Sequence, residues 1–342
     1  GFDRGGLARV LPRRFEVVGA AQGLTDPVVL SLCEDSDGAL WLGTGGGGVH
    51  RWQHGMLSPD ELGASGGRGL VHSLVAGKTG ELHAAVEQGG VLERRDGKWE
   101  NLLPTQHAGS PVHALWRDAR GGLWIGGSEG LACWQGGVLR KFGAAEGFPG
   151  GIVQAGAEAA DGTMWIGMKS GALLAWREGK FIAFQPDDAL ATLPVWTLLP
   201  DADGSVWMGT RGGGLLWFKD GRFTRCTRRQ GLPSDVICQV LDDAAGQLWL
   251  GTQGGIARLN KSGVQALARG EAESVLCVSY DRRDGLPTGE CSGGFQPAGV
   301  RAGDGRLWFA TARGAVGVDA ARIRSNPLPP PAVIEDDVAE TV

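Results

Sequence analysis

The sequence predicts an all-β chain, folded as a seven-bladed β-propeller of four-stranded antiparallel blades. Three observations carry that prediction. A short motif returns along the chain: Leu40-Trp41-Leu42-Gly43-Thr44, Leu123-Trp124-Ile125-Gly126, Met164-Trp165-Ile166-Gly167, Val206-Trp207-Met208-Gly209-Thr210, Leu248-Trp249-Leu250-Gly251-Thr252, and more loosely Leu307-Trp308-Phe309-Ala310-Thr311. With the degenerate copy Leu82-His83-Ala84-Ala85 included, the marker position falls at 41, 83, 124, 165, 207, 249 and 308, in steps of 42, 41, 41, 42, 42 and 59. Each unit also holds several short β-rich runs separated by Asp-Gly and Gly-Gly turns, the signature of antiparallel hairpins. Four strands in about 42 residues is the size of a propeller blade.

Within a unit the elements follow in a fixed order. An apolar run such as Val28-Val29-Leu30-Ser31-Leu32 gives the first strand, and Asp35-Ser36-Asp37-Gly38 the turn after it. The Trp run is apolar on both faces, as a strand buried between neighbouring sheets must be. A Gly-rich turn, Gly45-Gly46-Gly47-Gly48, leads to a third strand, Val49-His50-Arg51-Trp52, and runs such as Lys180-Phe181-Ile182-Ala183-Phe184 close the unit as a fourth. Gly43 and its equivalents are expected to leave room for Trp rings of neighbouring blades. The second unit, with His83 for Trp, is expected to pack less regularly.

The two ends break the rhythm. Gly5-Gly6-Leu7-Ala8-Arg9-Val10 resembles the third strand Gly254-Gly255-Ile256-Ala257-Arg258-Leu259, and Arg14-Phe15-Glu16-Val17-Val18 reads as a fourth strand. Phe15 to Val18 is therefore expected to close the last blade beside the Ala315 to Val318 run, with a two-plus-two closure through Leu7 to Val10 as the rival. The long last step places extra material between Asn260 and Phe295. Residues 1–326 then form the propeller. Residues 327–342, opening on Pro327-Leu328-Pro329-Pro330-Pro331, read as a stiff linker and the start of a following domain. The absence of an initiator Met and of a charged-then-apolar leader suggests a removed signal segment or an excised piece.

Composition narrows the function classes. Gly is 60 of 342 residues, recurring at turn positions, where ordinary chains hold about 7%. The net charge of −5 carries no long run of one sign, which argues against a nucleic-acid partner. No apolar run approaches the roughly 18 residues of a membrane span. The six cysteines, Cys33, Cys133, Cys226, Cys238, Cys277 and Cys291, form no Cys-x-x-Cys pair and read as small buried fillers.

Gly23-Leu24-Thr25-Asp26-Pro27-Val28, followed by Asp35-Ser36-Asp37-Gly38-Ala39-Leu40-Trp41-Leu42-Gly43-Thr44, resembles the two-component regulator propeller repeat, as does Gly231-Leu232-Pro233-Ser234-Asp235-Val236 with Leu248-Trp249-Leu250-Gly251-Thr252. The terminal run Asn326-Pro327-Leu328-Pro329-Pro330-Pro331-Ala332-Val333-Ile334 is similar to that family's last repeat. The resemblance implies a periplasmic, extracytoplasmic sensor region. Its partners would be a neighbouring propeller and an immunoglobulin-like domain, ahead of a histidine kinase or diguanylate cyclase. It supplies no catalytic residues.

The residues themselves nominate no catalytic site, metal site or cofactor. Asp35-Ser36-Asp37-Gly38 and Asp201-Ala202-Asp203-Gly204 lack the distal Glu of a calcium loop and suit hairpin turns. Only His50 and His54 stand at i, i+4, and His50 lies in a third-strand run and not on a helix; His72 and His113 occupy equivalent starts of adjacent first strands. The Gly-rich runs sit between strands and not before a helix, so they make neither a nucleophile elbow nor a phosphate loop. The expected role is a non-enzymatic sensor for an oligosaccharide or other small anionic ligand. The alternatives are a propeller lyase or glycosidase, and an interaction scaffold dimerising through its faces. The loops entering the first strands and the turns after the second strands should share one face around a central channel. Those positions carry Arg68, His72, Glu87, His113, Lys169, Trp196, Arg211, Gln253 and Arg313, four of them cationic against one Glu, with Trp196 as a stacking face.

Overall fold

A computed structural model describes residues 14–62, 69–87, 90–103, 111–186 and 192–323. It contains seven four-stranded antiparallel sheets, one per sequence unit. The innermost strands of blades one to seven are Val29–Glu34, Val71–Ala76, Val112–Arg117, Val153–Glu158, Val195–Pro200, Ile237–Asp242 and Gly299–Arg301. The Trp-bearing run is the second strand in every blade except the second, where His83 replaces it. Phe15–Val18 is the outermost strand of blade seven and pairs with Gly314–Val318, Val17 facing Val316. Leu7 to Val10 lies outside the described residues, as do residues 324–342.

The core consists of seven apolar clusters, one in each gap between blades. Trp41 packs on Val71 and Leu74 of blade two, Trp165 on Val195 and Met208 of blade five, and Trp308 on Leu32 and Leu42 of blade one. All six marker tryptophans are buried, Trp207 and Trp249 completely. The gap between blades two and three has no marker Trp and is filled by Ala85, Val91, Leu115, Leu123 and Ile125. There His83 instead joins a polar chain: Arg117 donates to its Nδ1 at 3.2 Å, and its Nε2 lies 3.4 Å from Glu93 Oε1.

The acidic turns hold the tryptophans. Asp35 Oδ2 accepts from Trp41 Nε1 at 2.7 Å, while its Oδ1 accepts from the backbone N–H groups of Asp37 and Ala39. Asp118 with Trp124, Asp201 with Trp207 and Asp243 with Trp249 repeat the indole bond at 2.8, 2.9 and 3.2 Å. The Asp of these turns thus holds the indole of its own blade, and Asp201 also takes Lys261 Nζ of blade six at 2.7 Å. Gly43, Gly126, Gly167 and Gly209 serve a purpose other than the expected one. A Cβ on them would come within 2.8 Å of Val71, Val153, Val195 and Ile237, the β-branched residues that open the next blade's inner strand. They make room for a neighbouring backbone and its Val or Ile, and not for a Trp ring.

The long last step contains two features. Lys261–Ala268 is an α-helix, N-capped by Asn260, whose side chain accepts from Ser262 N. Residues 291–298 then run into the axis of the disc. Gln296 O accepts from Ser73 Oγ at 2.5 Å, Gln296 N donates to His113 O at 3.0 Å, and Pro297 O accepts from Leu32 N at 3.0 Å. The Gln296 side-chain amide pairs with both backbone groups of Gly156, and Ala298 N donates to Gln239 Oε1. Blades one, two, three, four and six are all tied to this one segment, so the channel expected from the sequence is plugged. Among the described residues no helix is long and apolar enough to cross a membrane. All six cysteines are free, with five buried and Cys277 half-buried.

Candidate functional site

Two rings of side chains surround the plug on one face. The inner ring arises from a backbone irregularity. In six blades the pairing of first and second strands slips by one residue, between Val29 and Ser31, Val71 and Ser73, Val112 and Ala114, Val153 and Ala155, Val195 and Thr197, and Ile237 and Gln239. A bulge of this kind re-aims the unpaired residue. The residues so placed are Leu30, His72, His113, Gln154, Trp196 and Cys238.

Four of these touch the plug. His72 stacks on Phe295 with ring centroids 4.4 Å apart and 13° between planes, and His113 stacks at 6.1 Å and 25°. Gly293 and Gly294 lie against the Trp196 ring so closely that a Cβ at Gly293 would come within 2.6 Å of it. Cys238 Sγ donates to Cys291 O at 3.2 Å.

The outer ring is set by a second recurring contact. The residue after the second strand donates its N–H to the residue just before the first: Gly45 to Val28, Glu87 to Leu70, Ser128 to Pro111, Lys169 to Ile152 and Arg211 to Pro194. The entry loops and these turns therefore do share one face. In blades three and five the outer residue lies beside the bulged residue of its own blade. Ser128 Oγ approaches His113 Nε2 at 3.5 Å, and the Arg211 guanidinium lies 5.9 Å from the Trp196 ring centre.

Burial governs the ring electrostatics. It lowers the His72 pKa, against an opposing pull from the Val112 carbonyl and Glu87. His113 is lowered to about 4, by burial first and then by His72 and Lys169. Both imidazoles are neutral at pH 7. His72 donates from Nδ1 to Val112 O at 3.2 Å, since a carbonyl can only accept. His113 Nδ1 and Gln154 Oε1 are buried without a hydrogen-bond partner.

The residues expected from the sequence divide accordingly. His72 and His113 stack on Phe295, and Trp196 lies against Gly293 and Gly294 of the same segment. Lys169 and Arg211 are exposed on the outer ring of blades four and five, with Glu87 exposed on blade two. Gln253 holds the corresponding turn position in blade six and makes no side-chain contact with the plug. Arg313 is one residue out of register: in blade seven Ala312 makes the ring bond, donating to Glu290 O. The blade-seven turn is Thr311-Ala312-Arg313-Gly314, and Arg313 faces a peripheral cleft of about 810 Å³ with Arg14, Pro27 and Asp284. Arg68 lies outside the described residues. The cationic excess of the rim thus comes down to Lys169 and Arg211 against Glu87. Sequence reasoning missed Phe295, Gln296 and Gln154. Gln154 could have been found by stepping 41 residues from His113.

Two stretches, residues 23–46 and 189–212, match the family model described as Two component regulator propeller. Those stretches are two-component regulator propeller repeats. No curated protein matches the chain in sequence. Among solved structures, the extracellular domain of BT3049 from B. thetaiotaomicron, assigned as a hybrid two component system, aligns with TM-score 0.75 at 20% identity, over 91% of this chain and 41% of that one. The extracellular domain of BT4673 from the same organism aligns with TM-score 0.72 at 18% identity, over 90% and 40%. The chain therefore spans about two fifths of these extracellular domains. Virginiamycin B lyase from Staphylococcus aureus aligns with TM-score 0.67 at 14% identity, over 89% and 98%. At these identities the common property of the hybrid-system extracellular domains, the lyase and this chain is the fold.

Proposed function

We propose that the chain is the ligand-sensing propeller of an extracytoplasmic two-component-type signalling protein, and that the ringed mouth over Phe295 is its recognition site. One observation carries this reading. The framework repeats from blade to blade, with Trp at the marker in six of seven units, yet the two ring positions change chemistry at almost every step. The inner positions read Leu30, His72, His113, Gln154, Trp196 and Cys238, and the outer ones Gly45, Glu87, Ser128, Lys169, Arg211 and Gln253. Positions that the fold leaves free, gathered on a rigid scaffold, are where recognition concentrates. The propeller-repeat match and the fold of the hybrid-system extracellular domains support the sensor role.

The ligand proposed is a saccharide or comparable small anionic molecule, with Phe295 and Trp196 offering ring faces and Lys169 and Arg211 charge. Residues 327–342 would lead to a following domain, with a second propeller before this one, and the location would be the periplasm. A thermal-shift screen against sugars and oligosaccharides tests the reading, because a ligand selective for the folded state raises the melting temperature. A hit should be lost on Trp196→Ala or Phe295→Ala. Binding unchanged in both variants removes the mouth as the site.

A second reading is an enzyme of lyase type. It draws support from neutral His113, with an unpartnered ring nitrogen at the mouth, on a fold used by virginiamycin B lyase. Product formation from a screened ligand, abolished by His113→Ala, would favour it. Binding without turnover favours the sensor.

A further inference from the structure

Four of the links that carry the chain from one blade to the next share one design. They are the short 3-10 turns Ala20–Gln22, Ala144–Glu146, Arg228–Gln230 and Arg282–Asp284. In each, the third residue's side chain accepts from the backbone N–H just before the turn. A left-handed glycine, Gly23, Gly147, Gly231 or Gly285, ends it. The side chains at the first two positions take no part in this. Ala-Ala fills them ahead of blades one and four, and Arg-Arg ahead of blades six and seven. The turn does not need arginine.

Arg228, Arg229, Arg282 and Arg283 are all exposed, and among the described residues none of them makes an ion pair. Arginines on blades one to four behave differently: Arg51, Arg94, Arg117, Arg140 and Arg177 each hold a carboxylate at 3.8 Å or less. The carboxylates beside the two turns are committed elsewhere. Asp235 Oδ1 accepts from Arg228 N at 2.8 Å, and Asp281 Oδ1 from Arg283 N at 2.6 Å. Asp284 caps its turn and pairs with Arg14 at 3.3 Å. Arg225, exposed just ahead of the first turn, donates from Nε to Gly213 O at 2.8 Å and has no carboxylate partner. Both turns belong to the face of the mouth, since Gly212 N and Gly214 N donate to Asp235 O, and Ala312 N to Glu290 O. Each follows an outermost strand, Arg222–Cys226 or Cys277–Tyr280, so the arginines stand at the rim and not over the plug.

We propose that this rim sector of blades five and six is a contact surface for an anionic phospholipid bilayer. The planar guanidinium fork matches phosphate oxygens two at a time, which an ammonium does not. Arginines in two separate turns along one rim suit an extended array of headgroups better than a single small anion. A protein partner calls for an apolar anchor at the centre of its interface. None of the large apolar side chains exposed among the described residues, Met56, Val138, Ile182, Leu276 and Val278, lies in either turn. At a net charge of −5 the chain as a whole is repelled by an anionic surface. Only an unneutralised local sector can dock it, and that sector fixes its orientation.

Flotation of the chain with phosphatidylcholine vesicles, with and without phosphatidylglycerol, tests this. The chain should float only with the phosphatidylglycerol vesicles and should be released as sodium chloride is raised. Arg228→Ala, Arg229→Ala, Arg282→Ala and Arg283→Ala together should weaken that binding at least about 10-fold. The variant should fold, since Ala20-Ala21 and Ala144-Ala145 build the same turn, and circular dichroism checks it. Lys98→Ala, Lys180→Ala and Arg222→Ala, at the starts of outer strands on the opposite face, should leave binding unchanged. Equal flotation with both vesicles, flotation with neither, or unchanged binding in the four-arginine variant overturns the proposal. So does binding to soluble polyglutamate, lost in that variant, by a chain that ignores the vesicles: the sector is then a docking surface for an acidic protein.

Discussion

The Gln296 side-chain amide donates to Gly156 O at 2.8 Å and accepts from Gly156 N at 2.9 Å, across the axis of the disc. Both partners are buried, and Gly156 could not be another residue, since a Cβ there would lie 2.2 Å from the Trp116 ring. Gln296→Ala strands a buried donor and a buried acceptor, at about 1–3 kcal/mol for each group. Urea unfolding should show a loss on the order of 2–4 kcal/mol. A loss under about 0.5 kcal/mol would mean that the plug does not brace the blades.

Trp207 is completely buried between blades five and six, and its indole bonds Asp201, which also takes Lys261 Nζ at 2.7 Å. Trp207→Ala should cost about 3–5 kcal/mol, as other large aromatic truncations do. Trp207→Phe keeps most of the apolar contact but leaves Asp201 without its indole donor. It should cost less than the Ala variant, and comparing the two denaturation midpoints separates packing from hydrogen bonding.

His83 should make the protein acid-sensitive. Burial first, then the Arg117 charge, lower its pKa from 6.5 to about 4. Between those values the unfolded chain binds a proton that the folded chain refuses, so stability rises with pH across this window and falls as pH drops from 6.5 to 4. His113, also lowered to about 4, and His72 act in the same direction. Denaturation midpoints measured from pH 7 to 4 should decline, and His83→Gln should flatten part of the slope. A profile independent of pH above 4 would contradict neutral burial of these rings.

Deleting residues 1–18 removes the outer strand of blade seven. Phe15 and Val18 are buried, and their loss, at about 1.5–3 kcal/mol per side chain, should lower the melting temperature by on the order of 10 °C. The newly open edge of Gly314–Val318 should also promote association, visible by light scattering. An unchanged melting temperature would show that the strand does not close the disc.

Blade count, strand order and the burial of the tryptophans were legible because each rests on a residue type repeated at fixed spacing. The outer-ring positions followed the same period as far as Gln253 and slipped by one at Arg313: the blade-seven turn, Thr311 to Gly314, has the length of Thr252 to Gly255 in blade six, so Ala312 is the equivalent of Gln253. The plug was invisible because Phe295 and Gln296 have no periodic counterpart: the 59-residue step marked the insertion but not its path. Gln154 was passed over for a different reason. A bulge is a property of backbone pairing, and Val153-Gln154-Ala155 reads as ordinary alternation. The helix Lys261–Ala268 was hidden by Gly263, although Asn260 is a sound N-cap.

Phe15 and Val318 form the terminal pair of the blade-seven seam, and their strands run antiparallel. A force drawing Phe15 away from Val318 therefore loads the seam one residue pair at a time. The bonds open like a zipper and do not resist together as a sheared ladder would. Under tension the disc would part first along Phe15 to Val18, at lower force than any strand pair within the other six blades, so its ends could act as a mechanical fuse while the ringed mouth stayed intact.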